Sequence, residues 1–500
     1  MTPLLSVAEI RTVEQAAAAE LAPGTLMQRA GQAAAKAALD LIVGPNDEAS
    51  VLVLAGPGNN GGDALEVAYR LAKSDVQVSV LLFADPAKQS LDAQHALQRA
   101  QTGAQFFDPA GWRELVSTDW MIVVDGLFGI GLMRPISGDM HALVEHINRL
   151  ACPVLALDVP SGLDADTGRI VGESGIAVHA SHTITFIADK PGLHTGDGRD
   201  YSGKVQVAPL AIEDVHFPKP RTWLNDAKLF SSAVRRRPQN SHKGSYGDVA
   251  VIGGAHGMAG APILAARTAA HCGAGRVYAA FIEAPPAYDS VQPELMCRRA
   301  GEFDFSGATL VVGPGMGNSR AAHDLLAQAL HAHSALVLDA DALNLIAAEP
   351  GLQQVLVQRK HATLMTPHPL EAARLLACTS AQVQADRLAA ARTLAQRFHA
   401  TVVLKGSGSV IARMDGTVVI NTTGNPALAT AGTGDVLAGV CGALLAQHWP
   451  VWEAALAAVW LHGTAADTLV QQGIGPIGLT ASELIPAVRA ALNQLVDQHA

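Results

Sequence analysis

Near its end the 500-residue chain reads Asn425-Pro426-Ala427-Leu428-Ala429-Thr430-Ala431-Gly432-Thr433-Gly434-Asp435, then at once Val436-Leu437-Ala438-Gly439-Val440, a helical pattern. A Gly-Thr-Gly-Asp turn that opens a helix gathers unpaired backbone N–H groups at the positive end of the helix dipole. A phosphate can settle there, and the glycines let it approach the backbone closely. A carboxylate beside an anion site is electrostatically unfavourable unless it has a task. For Asp435 that task would be to take a proton from a hydroxyl attacking a phosphoryl group. The plainer reading of the same residue is a helix cap.

In the first half, Gly56-Pro57-Gly58-Asn59-Asn60-Gly61-Gly62-Asp63 stands between an expected strand and an expected helix. Gly56, Gly58 and Gly61 satisfy the dinucleotide spacing G-x-G-x-x-G, with Asp85 at the end of the next strand. A nicotinamide-linked dehydrogenase is therefore one reading. Against it, Asn59, Asn60 and Asp63 put side-chain ligands where a dinucleotide fingerprint needs bare backbone. Two more oxygen-rich loops follow later strands, Asp125-Gly126-Leu127-Phe128-Gly129-Ile130-Gly131 and Asp158-Val159-Pro160-Ser161-Gly162-Leu163-Asp164. In a parallel sheet such loops meet at one edge. Their amide, carboxylate and hydroxyl oxygens could hold a hard cation such as K⁺ or Mg²⁺, or present a carboxylate base. Any one of these aspartates alone would read as a turn residue.

The elements that must position these loops show as alternation. Short β-rich runs, Val51–Leu54, Val78–Leu82, Met121–Val124 and Val154–Leu157, are separated by stretches such as Ala64–Lys73 and Asp139–Leu150, long enough for crossover helices. That pattern predicts a Rossmann-like parallel sheet layered by helices. Two helices, roughly Val7–Glu20 and Thr25–Val43, precede the first strand and would serve assembly or cover the site. Pro218, Pro220, Pro238 and Arg235-Arg236-Arg237 mark a linker. A second series then begins at Asp248–Ile252 and continues through Thr309–Val312, Ala335–Leu338, Ala362–Met365 and Thr401–Leu404, with a mainly helical tail from Gly434. The expected organisation is two tandem α/β domains, 1–217 and 241–500, joined by 218–240.

Composition bounds the function classes. Hydrophobic residues make up 49% and charged residues 16%, enough apolar material for two cores. A net charge of −10, without a long basic run, argues against a nucleic-acid partner. No window is apolar enough for a membrane span, and Met1–Leu5 shows no signal-peptide pattern. Cys152, Cys272, Cys297, Cys378 and Cys441 are scattered and odd in number, so they read as reduced thiols of a cytoplasmic protein without a zinc site.

The GPGNNGGD turn, Val124-Asp125 with its Gly-Ile-Gly-Leu stretch, and Asp158–Asp164 resemble the epimerase that repairs hydrated nicotinamide nucleotides. The second half resembles its fusion partner, the nucleotide-dependent NAD(P)H-hydrate dehydratase of the ribokinase-like fold. The matching stretches are Lys243–Gly247, Met258–Pro262, Val312–Gly317, Thr366–Pro369, Lys405–Ser409 and Gly432–Asp435. This resemblance covers nearly the whole chain and implies small-molecule ligands, the hydrates NADHX and NADPHX with ADP, and a homo-oligomer. In the first domain it implies that Asn59, Asn60, Gly61, Gly62 and Asp63, with Gly129, Ile130, Gly131, Leu132, Met133, Arg134 and Pro135, hold the hydrate. Asp158 would be the acid–base residue, and Asn60, Asp125 and Ser161 would ligate K⁺. In the second it implies that Lys405, Gly406, Ser407, Gly408 and Ser409, with Gly434, hold ADP, which Mg²⁺ accompanies. Ala261, Gly315, His368 and Asp435 would face the hydrate, and Asp435 would prime the C6 hydroxyl for phosphorylation.

The chain departs from the family pattern at Ala64, Leu370, Ala427 and Ala431, where glycine is usual. Alanine disfavours positive φ, so these loops are expected to be slightly reshaped, and Leu370 bears on the pocket beside His368. A ribokinase-like small-molecule kinase is the rival reading, since such kinases share the Gly-x-Gly-Asp ending. A kinase, however, has no evident use for an epimerase-like first domain. A nucleotide-sensing scaffold is disfavoured by Asp158 and Asp435 at their motif positions.

Overall fold

The structure is a computed structural model that describes residues 2–115 and 119–499. The chain divides into two compact units, the first Thr2–Pro220 and the second beginning at Arg221.

The first unit is built on seven strands: β1 Ser50–Ala55, β2 Gln77–Leu82, β3 Gln105–Phe107, β4 Ile122–Gly126, β5 Val154–Leu157, β6 His182–Phe186 and β7 Lys204–Ala208. They lie in the order β3-β2-β1-β4-β5-β6-β7, every neighbouring pair parallel. The strand order reverses direction between β1 and β4, and at such a switch point the loops after the two strands part and leave a crevice. Register puts the site there: Ala55 pairs with Gly126, and Asp125 with Ala156. Residues 56–60, 126–131 and 158–161 therefore emerge side by side. The strands form as expected because Val51–Ala55 and Val154–Leu157 are buried apolar runs, suited to a sheet covered on both faces. The helix Asn59–Ala72 buries Ala64, Leu65, Val67, Ala68 and Leu71, a helical stripe against that sheet.

The second unit continues with β8 Thr222–Leu224, β9 Asp248–Gly253, β10 Arg276–Phe281, β11 Met296–Arg299, β12 Ala308–Val312, β13 Leu336–Leu338, β14 Thr363–Met365, β15 Thr401–Leu404, β16 Ser409–Ala412 and β17 Val418–Asn421. Their order is β8-β17-β16-β15-β14-β13-β12-β9-β10-β11. Only β15–β16 and β16–β17 are antiparallel among these pairs. The parallel strands β12 to β15 deliver Gly313, Asp339, Thr366 and Lys405 to one edge. The helix Thr433–Ala446 is buried on nearly all sides and faces that edge with its first turn, while Val451–Gln471 and Ala481–His499 complete the helical tail.

The segment expected as a linker differs. From Arg221 on it belongs to the second unit: Thr222–Leu224 pairs with β17, and Phe230 and Val234 are core residues. The prolines and arginines masked these short apolar anchors. Both N-terminal helices form, as Val7–Glu20 and Thr25–Leu39. Among the described residues no helix is long and apolar enough to cross a membrane, and all five cysteines are free.

Candidate active sites

Asp158 follows β5 in a left-handed conformation, φ +69°, uncommon for a residue with a Cβ and the kind of local strain that collects at functional sites. Its Oδ1 accepts from Lys190 Nζ at 2.8 Å, and the Lys190 side chain is fully buried. Lys190 also donates to Thr185 Oγ1 at 2.6 Å and to the carbonyls of Phe186 and Ala188 at 3.1 and 3.3 Å. Four acceptors thus hold the ammonium, and it pins one oxygen of Asp158. The other, Oδ2, lies 3.2 Å from the point where a side chain on Gly129 would begin, so any side chain there would crowd this oxygen.

Asp158 lines a cavity of about 760 Å³ together with Asn59, Asn60, Asp63, the run Gly129–Arg134 and, from the first helix, Arg11 and Glu14. The expected hydrate-binding residues are brought together here with three exceptions. Gly61 and Gly62 pack instead: a Cβ on Gly61 would meet the Gly56 carbonyl at 1.9 Å, and one on Gly62 the Met27 side chain at 2.5 Å. Pro135 packs against Gly172. The carboxyl of Asp63 is pushed well above the usual carboxylate range, by burial first and then by the charges of Asp158, Glu14 and Glu66.

Beneath the cavity Asp125 is fully buried. Its Oδ1 accepts from Ser161 Oγ at 2.6 Å and from Leu127 N–H at 3.2 Å, and its Oδ2 from Ser161 N–H at 2.8 Å. Burial raises its pKa to about 6 against the pull of these bonds. Asn60 is buried too, and neither atom of its side-chain amide has a protein partner. A buried amide left so calls for a bound water or ion. The donor set is all oxygen, which fits a hard cation rather than zinc.

In the second unit Asp435 sits in the first turn of Thr433–Ala446, entered through Gly432 at φ +89°. Lys405 Nζ, at the end of β15, is 2.7 Å from Asp339 Oδ1 and 4.0 Å from Glu371 Oε2. A Cβ on Gly434 would lie 3.5 Å from Lys405 Nζ, so the ammonium stands over the Gly-Thr-Gly turn. Asp435 is raised to about 7, by burial first, then by the charge of Asp339, with Lys405 opposing. Glu371 is raised to about 7 by burial, again opposed by Lys405. His368 caps the helix Pro369–Leu376: its Nδ1 accepts from the N–H groups of Leu370 and Glu371 at 3.1 and 3.3 Å, which leaves Nε2–H for Glu371 Oε1 at 3.1 Å. Leu370 is turned outward and half exposed. Gly315 and Ala261 adjoin, since a Cβ on Gly315 would lie 3.2 Å from that of Ala261. Among the described residues, no three or more His, Cys, Asp or Glu side chains are arranged to hold a metal alone.

Three supporting residues gave no signal in the sequence. Lys190 is an isolated lysine after β6. Arg387 is buried under the Gly406 turn and donates to the carbonyls of Leu404 and Lys405, both at 3.3 Å. His462, lowered to about 4 by burial, donates from Nε2 to the Thr433 carbonyl at 2.9 Å. Each stands alone in the chain and acquires its partners only through folding.

The family model described as YjeF-related protein N-terminus matches residues 23–192, and that described as NAD(P)H-hydrate dehydratase matches 249–488. The bifunctional NAD(P)H-hydrate repair enzyme of Coxiella burnetii is 36% identical over 506 residues, covering 99% of this chain and 100% of its own. That of Escherichia coli is 36% identical over 480 residues, covering 94% and 89%. Among solved structures, the ADP/ATP-dependent NAD(P)H-hydrate dehydratase from Bacillus subtilis, co-crystallised with ATP/Mg²⁺, is 28% identical over 55% of this chain and 98% of that chain, with a TM-score of 0.49.

Proposed function

The chain belongs to the family of bifunctional NAD(P)H-hydrate repair enzymes, and from that premise we propose that its first unit interconverts the two C6 epimers of hydrated NADH and NADPH while its second dehydrates one of them at the expense of ADP. The observation that carries the second half is the position of Asp435, at a phosphate-ready helix start beside Lys405, with a pKa raised to about 7. A carboxylate poised there accepts a proton near neutral pH. Asp435 takes the proton of the C6 hydroxyl, whose oxygen attacks the terminal phosphoryl of ADP, and AMP leaves. The C6–O bond of this phosphate ester then breaks, phosphate departs with the electron pair, and a proton lost from C5 to solvent restores the ring double bond. Hydroxide is a poor leaving group and phosphate a good one. That difference is the reason a nucleotide is consumed.

Lys405 and the Gly406–Ser409 turn hold the nucleotide phosphates, with the Gly434 N–H at the helix start. The carboxylates of Asp339, Glu371 and Asp435 outnumber the single ammonium of Lys405, so an entering polyphosphate needs an added cation. Mg²⁺ fits that need: Asp339 and Glu371 would help to hold it with the nucleotide, and it would supply charge neutralisation. In the first unit Asp158 is the base. Asn60, Asp125 and Ser161 would hold K⁺, which would supply positive charge and order the three loops. The free cysteines support a reducing compartment, the cytoplasm.

Pure protein given an equal mixture of hydrate epimers should restore full absorbance of the reduced nicotinamide only with ADP present, releasing AMP and phosphate. Accumulation of a phosphorylated product without reduced cofactor would favour a small-molecule kinase instead.

A further inference from the structure

The helix Val7–Glu20 precedes the residues matched by the N-terminal family model, 23–192. It is firmly placed. Ser6 and Glu9 form a capping box, the Val7 N–H donates to Asp166 Oδ1 at 2.8 Å, and Ile10, Val13 and Ala17 are buried in the core of the first unit. One flank of the helix is thereby aimed at the catalytic cavity, and Arg11, Glu14 and Ala18 line it at helical spacing. Glu14 is half-buried and shares the cavity wall with Asp63 and Asp158.

We propose that Glu14 is a second catalytic residue of the first unit, the acid that works opposite the base Asp158 in epimerisation. This rests on reading that unit as an epimerase. The hydrate is a cyclic hemiaminal: C6 carries the hydroxyl and is bonded to the ring nitrogen N1. Asp158 takes the hydroxyl proton, the C6–O bond becomes a carbonyl, and the C6–N1 bond breaks with its electron pair going to N1. Glu14 gives N1 a proton. The open aldehyde rotates, and the same two groups, with roles reversed, close the ring on the other face. No atom is gained or lost, and no oxidant is needed. The two groups suit these tasks: Asp158 is ion-paired with buried Lys190, while Glu14 is raised above the ordinary carboxyl range by burial first, then by the charge of Asp158, with Arg11 and Lys190 opposing. The competing acid is Asp63, on the helix Asn59–Ala72.

The test starts from one purified epimer and follows formation of the other without nucleotide, using the full chain. Glu14→Gln should slow interconversion by about 100-fold or more and abolish the fall in rate at high pH that marks loss of the acid's proton. Glu14→Asp should recover part of the rate. ADP-dependent dehydration in the second unit should be unchanged in both variants, and the denaturant unfolding transition of the first unit should coincide with that of wild type, which reports that the unit carrying Glu14 is folded. A Glu14→Gln rate within about threefold of wild type, or loss of the alkaline limb in Asp63→Asn with its retention in Glu14→Gln, would overturn the assignment. If the wild-type protein does not exceed the spontaneous rate, the epimerase reading itself falls, and this proposal with it.

Discussion

Asp158 and Asp435 sit in separate units, so their substitutions should separate cleanly. Asp435→Asn should lower nucleotide-dependent dehydration by about 10²–10⁴-fold and leave epimerisation intact, measured from single epimers with and without ADP. The wild-type dehydration kcat/KM should rise with pH through about 7, where Asp435 ionises, and plateau above. The same residue predicts a stability effect. Its folded pKa lies above the ordinary 3.8, so its contribution to stability is fully present below pH 3.8, drains away as pH climbs from there to about 7, and is level above that. Asp435→Asn should therefore melt higher than wild type at pH 8 and show no advantage at pH 3. Asp158→Asn should give a fast dehydration phase that stops at about half completion of a mixed-epimer substrate, then drifts at the spontaneous rate, because in-line transfer to ADP accepts one configuration at C6. Lys190→Met should cost on the order of 3 kcal/mol in denaturant unfolding of the first unit, since it strands a largely buried carboxylate, and Lys190→Met with Asp158→Asn should restore most of that loss.

Strand ends and helix starts carry the site, so glycines there fall into two kinds. Gly61 cannot accept a methyl, because its Cβ would stand 1.9 Å from the Gly56 carbonyl. Gly434 can, because the nearest atoms lie at 3.5 and 3.9 Å, ordinary contact distances, and its φ is not positive. Gly434→Ala should therefore fold with wild-type stability yet raise KM for ADP, since the added methyl occupies the space through which phosphate reaches the helix N–H groups. Equal KM values would place the nucleotide elsewhere. Gly61→Ala should instead destabilise the first unit and take epimerisation with it.

Across the whole molecule, the two proposed bases, Asp158 and Asp435, lie in different units. Mixing Asp158→Asn protein with Asp435→Asn protein should restore complete conversion of both epimers, because the epimer made by one chain diffuses to the other. Failure of the mixture to pass half conversion would mean that the hydrate is handed over within one chain.

Spacing and residue type made the two-unit α/β architecture legible, since buried parallel strands must be short apolar runs and crossover helices must separate them. Val154–Leu157 was readable to the residue. The loops after those runs stood out as candidate sites because glycines, amides and carboxylates recur after three strands of one sheet, although each aspartate alone would read as a turn residue. The strand Thr222–Leu224 was not legible, because three residues carry too little periodicity to outweigh the prolines around them. Nor were Lys190, Arg387 and His462, whose roles exist only once folding places an acceptor beside each. Glu14 shows the division most clearly. In the chain it is one polar residue on an amphipathic helix, 144 positions before Asp158. Only the packing of Ile10, Val13 and Ala17 into the core turns its flank of the helix toward the cavity, because a helix fixes the angle between its own side chains but the tertiary fold decides what that angle faces.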